Sequence, residues 1–202
     1  MVKPIGVLAL QGDFDAHRAA LREVGLESLE VRWPAQLAEV SGLVIPGGES
    51  TTLIKLIREA GLVEPLLGFG HSGAALYGTC AGAILLAARV TNPEQFCLGL
   101  IDIEIERNAY GRQRESFETV ADAVVSDELT GAGPHGMELV FIRAPRIRSV
   151  GPGVKTLVTH AGDPVLVRRD GILAGTFHPE LGRDRRVHAY FAEMCRGAPV
   201  AV

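Results

Sequence analysis

The sequence predicts an α/β protein: a single domain over residues 1–202 with a mostly parallel central sheet, helices on both faces, and extra antiparallel strands in the C-terminal half. Two observations predict this. The first ninety residues alternate short apolar, β-rich runs with segments of helical spacing, the pattern that builds parallel strand–helix–strand units. The second half changes to a succession of strand-like runs, two of them joined by Asp170-Gly171, a strong hairpin signal.

In chain order, Pro4 to Leu10 reads as a buried strand, and Asp13 to Val24 as a helix carrying Phe14, Leu21 and Val24 and stopped by Gly25. Leu29 to Val31 is a weak strand, and Gly42 to Pro46 a stronger one that ends in Gly47-Gly48. Ser50 or Thr51 then caps a helix through Ala60, closed by Gly61. Ala74 to Tyr77 is a strand and Ala81 to Ala88 a helix. Leu98–Glu106, Leu139–Ile142, Val154–His160, Val165–Arg168 and Ile172–Phe177 read as strands, with Leu129–Glu138 a Gly/Pro-rich loop. An amphipathic helix from about Arg185 to Cys195 completes the chain, which contains no internal repeat and no linker.

Composition narrows the function classes. Apolar residues at 47% and charged residues at 22% mark a soluble globular chain. A net charge of −4 gives no basic face for nucleic acid, and Arg183-Asp184-Arg185-Arg186 reads as a solvated helix start. Pro65 to Ala88 has no charged residue, yet its scattered glycines break any continuous apolar helix, so no membrane segment is expected. The N-terminus is too short in apolar residues for a signal peptide. Three cysteines, Cys80, Cys97 and Cys195, with no CxxC pair, indicate neither zinc nor a disulfide framework and fit a reducing, cytoplasmic location.

The chemistry concentrates in three short segments. Gly78-Thr79-Cys80-Ala81-Gly82 stands between an apolar strand and an apolar helix, the pattern of a nucleophile elbow with Cys in place of Ser. The small flanking residues permit a sharp strand-to-helix turn, and the helix N-terminus favours a thiolate. A lone buried Cys among glycines is ordinarily a packing residue; the strand–helix context is what points to a nucleophile here. Ninety-eight positions later Thr176-Phe177-His178-Pro179-Glu180 follows a strand. In an extended segment held by Pro179, Glu180 reaches one nitrogen of His178 while the other faces Cys80. Alone, His-Pro-Glu is a common surface turn; joined to the elbow it supplies base and orienter. Pro46-Gly47-Gly48-Glu49-Ser50 is either a tight turn or a loop aiming N–H groups at an oxyanion, with the N–H of Ala81 as second donor beside Gly48.

The segments PGGES, GTCAG and HPE together resemble the class I (triad) glutamine amidotransferases. Residues 6–12, 46–53, Glu106-Arg-Asn-Ala-Tyr-Gly-Arg-Gln113, Ser116-Phe-Glu118 and Phe141-Ile-Arg-Ala-Pro145 are similar to the glutaminase subunits of glutamine-dependent pyridoxal 5′-phosphate synthases, over nearly the whole chain. The resemblance implies a flavodoxin-like class I amidotransferase fold. It implies Cys80 as nucleophile with His178 and Glu180 completing the triad. Gly48, Glu49, Ser50, Arg107, Ile142 and Arg143 would contact glutamine; a guanidinium suits its carboxylate and Glu49 its ammonium. Without the resemblance, Arg107 and Arg143 read as solvated strand-end charges. The chain differs from the family in having Ala16-His17 where Glu-His is usual, which bears on docking rather than hydrolysis, and in a longer 129–138 loop.

The expected reaction is hydrolysis of L-glutamine to glutamate and ammonia through a glutamyl thioester, with no cofactor. Ammonia is mostly protonated in neutral water, so a chain built to supply it gains by passing it directly to an acceptor site. A separate subunit is expected, and the resemblance makes it the lyase subunit of pyridoxal 5′-phosphate synthase, in a hetero-oligomer docked near Gln11 and Gly12. Competing readings are a glutaminase feeding another synthase, a thiol-based stress or chaperone protein with a similar elbow, and a non-catalytic interaction subunit. The first has no use for ERNAYGRQ and FIRAP, the second none for His-Pro-Glu, and the third none for three intact triad members.

Overall fold

The computed structural model describes residues 3–107, 109, 116–121, 124–125, 129 and 136–197. The chain begins β1 (Ile5–Leu8), α1 (Phe14–Glu23), β2 (Ser28–Val31), a 3-10 turn (Pro34–Glu39), β3 (Gly42–Ile45), α2 (Ser50–Glu59), α3 (Val63–His71), β4 (Ala75–Thr79) and α4 (Ala81–Leu86). It continues with β5 (Ala87–Thr91), β6 (Ile101–Glu106), β7 (Ser116–Ala121), β8 (Val124–Val125), β9 (Met137–Ile142), β10 (Arg146–Val150), β11 (Lys155–His160), β12 (Asp163–Arg169), β13 (Ile172–Gly175) and α5 (Arg186–Gly197).

The main sheet runs β2-β1-β3-β4-β13-β12-β11-β8. Its first five strands are parallel, in the order of flavodoxin-like doubly wound sheets, and the remaining pairings are antiparallel. Smaller sheets join β10-β6-β5 and β7-β9. Strand periodicity of two sorts the core. Leu43 and Ile45 point to one face, against Leu53 and Ile57 of α2, Leu66 of α3 and all of α4. Val44 points to the other, which Leu21 of α1 and Phe191 of α5 cover together with Phe141 of β9.

The predicted glycine stops are observed. Gly25 (φ 77°) and Gly61 (φ 67°) are left-handed, and the N–H groups of Leu26 and Leu62 reach back to the carbonyls of Leu21 and Ile57. The Asp170-Gly171 hairpin is also observed, with Arg169 opposite Ile172. Other expectations need correction. α2 is capped by Glu49, not Ser50 or Thr51: its carboxylate accepts from the N–H groups of Thr51 (2.9 Å) and Thr52 (3.1 Å). α4 ends at Leu86, where Ala87 turns extended (ψ 157°) and begins β5. The strand expected from Leu98 begins at Ile101, because the N–H groups of Leu98, Gly99 and Leu100 bond instead to the end of α4 and to Ala87.

α3 was not expected, because Pro65, Gly68 and Gly70 lie in it. Pro65 falls in the first turn, whose N–H groups have no helical partner anyway, and a Cβ on Gly70 would come within 2.8 Å of Leu100. β10 escaped notice because only Ile147 of Arg-Ile-Arg-Ser-Val is buried. Most of the loop expected over Leu129–Glu138, and Asn108 and Tyr110–Gln113 of the 106–113 motif, lie outside the described residues. Among the described residues no helix is long and apolar enough to cross a membrane.

Two features of the packing have measurable consequences. A Cβ on Gly82 would stand 2.0 Å from the carbonyl oxygen of Ile45. Gly82→Ala is expected to lower unfolding free energy by about 2–3 kcal/mol, the range of overpacked cores; urea unfolding checks it, and an unchanged midpoint would refute so tight a contact. Secondly, His17 of α1 and His188 of α5 are fully buried between helices and sheet. Burial lowers both, His188 to about 3 from the ordinary 6.5. Above pH 6.5 neither folded nor unfolded chain protonates these rings; as pH falls below it, only the unfolded chain does. Stability is therefore expected to decline below that point by up to about 1.4 kcal/mol per pH unit per histidine. Urea midpoints at about pH 7 and about pH 5.5 measure the slope, which His188→Phe should reduce.

Candidate active site

β4 runs through the middle of the sheet and delivers Cys80 to its C-terminal edge. The Cys80 N–H donates to Gly175 O of β13 at 2.8 Å, and its carbonyl accepts the first bond of α4, from Ile84 N–H at 3.1 Å. Between these anchors the residue is forced to φ 47°, ψ −102°, a strained conformation for a non-glycine residue. Gly78 makes the turn possible, since a Cβ there would lie 2.5 Å from the Gly82 backbone. Ala81, the first residue of α4, presents an N–H with no partner inside the helix.

His178 follows β13 on the neighbouring strand, pinned by its N–H to Val140 O of β9 at 2.8 Å. Its Nδ1 lies 2.7 Å from Glu180 Oε1. The expected extended geometry is corrected here: β13 stops at Gly175, and a turn closed by Leu181 N–H to His178 O (3.2 Å) curls the carboxylate back to the ring. Arg185 holds this turn, donating to the carbonyls of Pro179 (3.1 Å) and Gly182 (2.7 Å). The Arg183–Arg186 run is thus only partly the solvated helix start that its composition suggests.

Cys80, His178 and Glu180 are 6%, 4% and 5% exposed, so their charges act on one another with little screening. Burial by itself would lower His178; the partners Cys80 and Glu180 outweigh it and raise the ring to about 10. Burial by itself would raise Glu180, and the interactions with His17 and His178 outweigh it, leaving the carboxyl below its ordinary range. The arrangement favours a protonated His178 ring beside the Glu180 carboxylate. Burial raises the other two thiols, Cys195 to about 12, so neither is activated. Cys195 packs against Gly42, where a Cβ would meet its sulfur at 2.4 Å.

The glycine loop after β3 closes over this group. A Cβ on Gly47 would lie 2.5 Å from His178 Cε1 and 3.3 Å from Cys80 Cβ. Gly48 has φ 128°, and a Cβ there would strike the Gln11 amide at 2.3 Å. Gln11 is turned inward: its Nε2 donates to Gly47 O (3.1 Å) and its Oε1 accepts from Glu49 N–H (3.2 Å). Gly12 (φ 79°) gives room to the same loop, with the Gly47 carbonyl 1.9 Å from where its Cβ would be.

A cleft of about 190 Å³ opens beside Cys80. Gly48, Glu49, Ser50, Arg107, Ile142, Arg143 and His178 line it, so the structure gathers these expected residues on one surface. Glu180 lies behind His178, and Ala81 behind Cys80. Arg107 and Glu49 face each other at 3.5 Å, and Ser50 donates to Gln95 Oε1 at 3.0 Å. Burial would raise the Glu49 carboxyl, but bonds from Thr51 and Thr52 and the charge of Arg107 leave it lowered. Asp13, Ile84 and Pro145 also line the cleft and were not anticipated; Ile84 sits one helical turn past Cys80, a spacing that could have suggested it. His17, which faces Glu180, and its neighbours Thr79 and His188 were likewise missed: Thr79 lies in the elbow motif without a role there, and the two histidines come from separate helices with no motif to join them. Two larger hollows lie at the opposite end of the parallel strands, lined by residues such as Gly73 and Gly171 or Pro4 and Ser41.

Comparison with known proteins gives the family and the fold. Residues 7–197 match the model of the SNO glutamine amidotransferase family. Pyridoxal 5′-phosphate synthase subunit PdxT of Koribacter versatilis is 54% identical over 192 residues, 95% of each chain. The subunit of the same name from Thermotoga neapolitana is 48% identical over 95% of this chain and 99% of its own. A crystal structure described as a glutamine amidotransferase superposes with a TM-score of 0.85 at 46% identity, over 95% of this chain and 98% of the other. PurLQS from Thermotoga maritima, at 16% identity and a TM-score of 0.69 over 95% and 99%, shares the fold. With a match spanning nearly every residue, this chain belongs to the SNO glutamine amidotransferase family.

Proposed function

We propose that this chain is the glutaminase subunit of a pyridoxal 5′-phosphate synthase, hydrolysing L-glutamine with Cys80, His178 and Glu180 as its triad. The observation that carries the reading is the buried line Cys80–His178–Glu180 opening onto a cleft that holds Arg107 and Glu49 side by side. A zwitterionic amino-acid head fits that pair, its carboxylate at Arg107 and its ammonium at Glu49, with the side-chain amide reaching Cys80. Ser50, Ile142 and Arg143 complete the walls of the cleft.

The reaction follows from the charges. The Cys80 thiolate attacks the amide carbon, and the N–H groups of Gly48 and Ala81 receive the developing oxyanion. One such donor is worth about 3 kcal/mol in the transition state. His178, already carrying the proton, gives it to the departing nitrogen as the C–N bond breaks, releasing ammonia. A glutamyl thioester remains. His178, now neutral, takes a proton from water, whose oxygen attacks the thioester carbonyl. Collapse of that intermediate yields glutamate and returns the thiolate and imidazolium. Glu180 keeps the ring in place and stabilises its charge throughout.

Free ammonia would be lost to protonation in bulk water, so the reading includes transfer to a synthase subunit with the acceptor site. Gln11 and Gly12, at the end of β1 beside the glycine loop, are the proposed docking residues. The relatives' name as synthase subunits supports transfer to such a partner.

The deciding measurement is glutamate release from glutamine with and without the synthase subunit. Cys80→Ala is expected to remove activity, and Glu180→Gln to leave a residue reduced by about a thousandfold or more. Retained activity in Cys80→Ala would sink the triad; full activity without the partner would sink the docking element. Arg107→Gln is expected to raise KM about tenfold with little change in kcat, as for a contact made equally in ground and transition states. A fall in kcat alone would instead put Arg107 at the reacting centre.

A further inference from the structure

We propose that His17 is a positioning residue for the triad, its ring locked by His188 so that its Nε2–H faces the second oxygen of Glu180 and the hydroxyl of Thr79. The proposal rests on the glutaminase reading for its catalytic meaning, but the arrangement itself is geometric. Glu180 Oε1 is taken by His178; Oε2 faces His17 Nε2 at 3.4 Å and has no hydrogen-bond partner. The same Nε2 lies 3.2 Å from the hydroxyl of Thr79, the residue before Cys80. His17 Nδ1 lies 3.1 Å from His188 Nε2. Both histidines are wholly buried.

The proton positions follow from chemistry. An ionised carboxylate only accepts, so the hydrogen of a neutral His17 belongs on Nε2. Nδ1 is then an acceptor, and His188 supplies the matching Nε2–H. That leaves His188 Nδ1 as a lone pair, and this atom has no hydrogen-bond partner. Each ring thus fixes the tautomer of the next, from α5 through α1 to the turn that bears Glu180. The groups facing His17 are Glu180 and His178, Asp13 at the start of its own helix, Thr79 and Tyr77 of β4, and His188. Because burial lowers His17, its ring faces Glu180 at neutral pH as an N–H dipole rather than as a full positive charge. One ring therefore braces both the orienter of the base and the strand end that carries the nucleophile.

The test compares His17→Phe, which fills the space without a donor, with His17→Gln, whose amide NH2 reaches the place of Nε2. Two readouts are taken: kcat and KM for glutamate release in the complex with the synthase subunit, and the rate of Cys80 alkylation by iodoacetamide, followed by mass spectrometry of the Cys80 peptide. His17→Phe is expected to lower kcat and the alkylation rate at neutral pH about tenfold with KM unchanged, and His17→Gln to restore both to within about threefold. A folded His17→Phe protein with wild-type kcat and alkylation would overturn the proposal, as would a His17→Gln protein as impaired as His17→Phe. Should His17→Phe not fold, His17→Asn decides in its place: its amide reaches only the Nδ1 position, so it should be impaired, and wild-type behaviour overturns the proposal. If the wild-type complex releases no glutamate, the glutaminase reading fails, and the alkylation rates alone still decide whether His17 positions the Cys80–His178 pair.

Discussion

The left-handed backbone at Cys80 starts α4 directly against the ends of β3 and β4, and that approach leaves no room for a side chain at Gly78 or Gly82. The site depends on this contact. It lifts the thiol out of the strand and frees the Ala81 N–H at the helix start. It also brings Gly47, at the end of β3, within touching distance of both His178 and Cys80. A strained residue of this kind persists only where its surroundings over-determine it. Here the bonds from Cys80 to β13 and from α4 back to Cys80 do so, with the small residues of three neighbouring segments packed around them.

A second constraint is electrostatic. Glu180 is an almost fully buried carboxylate, and a buried charge is costly unless its oxygens are met by donors. The fold gives one oxygen a hydrogen bond and leaves the other facing a ring nitrogen without one. His178 takes one oxygen and couples it to the thiol; His17 faces the other from a different helix. Arg185 acts one step further out, tying the Pro179–Gly182 turn and pairing with Glu23 of α1. Glu180 is thus placed by the entrance to α5, a few residues further along the chain, and by α1 and β4, which are far from it in sequence.

Much of the parallel half was legible because its signals are local. Apolar runs of strand length, the glycines at positions 25 and 61, and the Asp170-Gly171 turn each carry their structure within a few residues. The elements that were not legible fail for particular reasons. α3 contains Pro65 and two glycines, and its stability comes from packing, as the contact of Gly70 with Leu100 shows. β10 is a surface strand with one buried side chain, so it has no apolar alternation to read. The cap of α2 passed from Ser50 to Glu49 because the glutamate carboxylate spans the turn to two N–H groups, leaving Ser50 to bond Gln95.

What the sequence by itself determined was the alternation of strands and helices, the elbow around Cys80, and the residue types able to serve as nucleophile, base and orienter. These are properties of spacing, and the chain carries them within segments of five to eight residues. Only the tertiary structure decided which oxygen of Glu180 meets which histidine, that Gln11 grips the glycine loop, and that Arg107 stands opposite Glu49. Apart from that of His178 with Glu180, each of these contacts joins residues tens of positions apart, and each depends on strand order and register. No local pattern encodes a distance that is set only when β1, β3, β4 and β13 lie side by side.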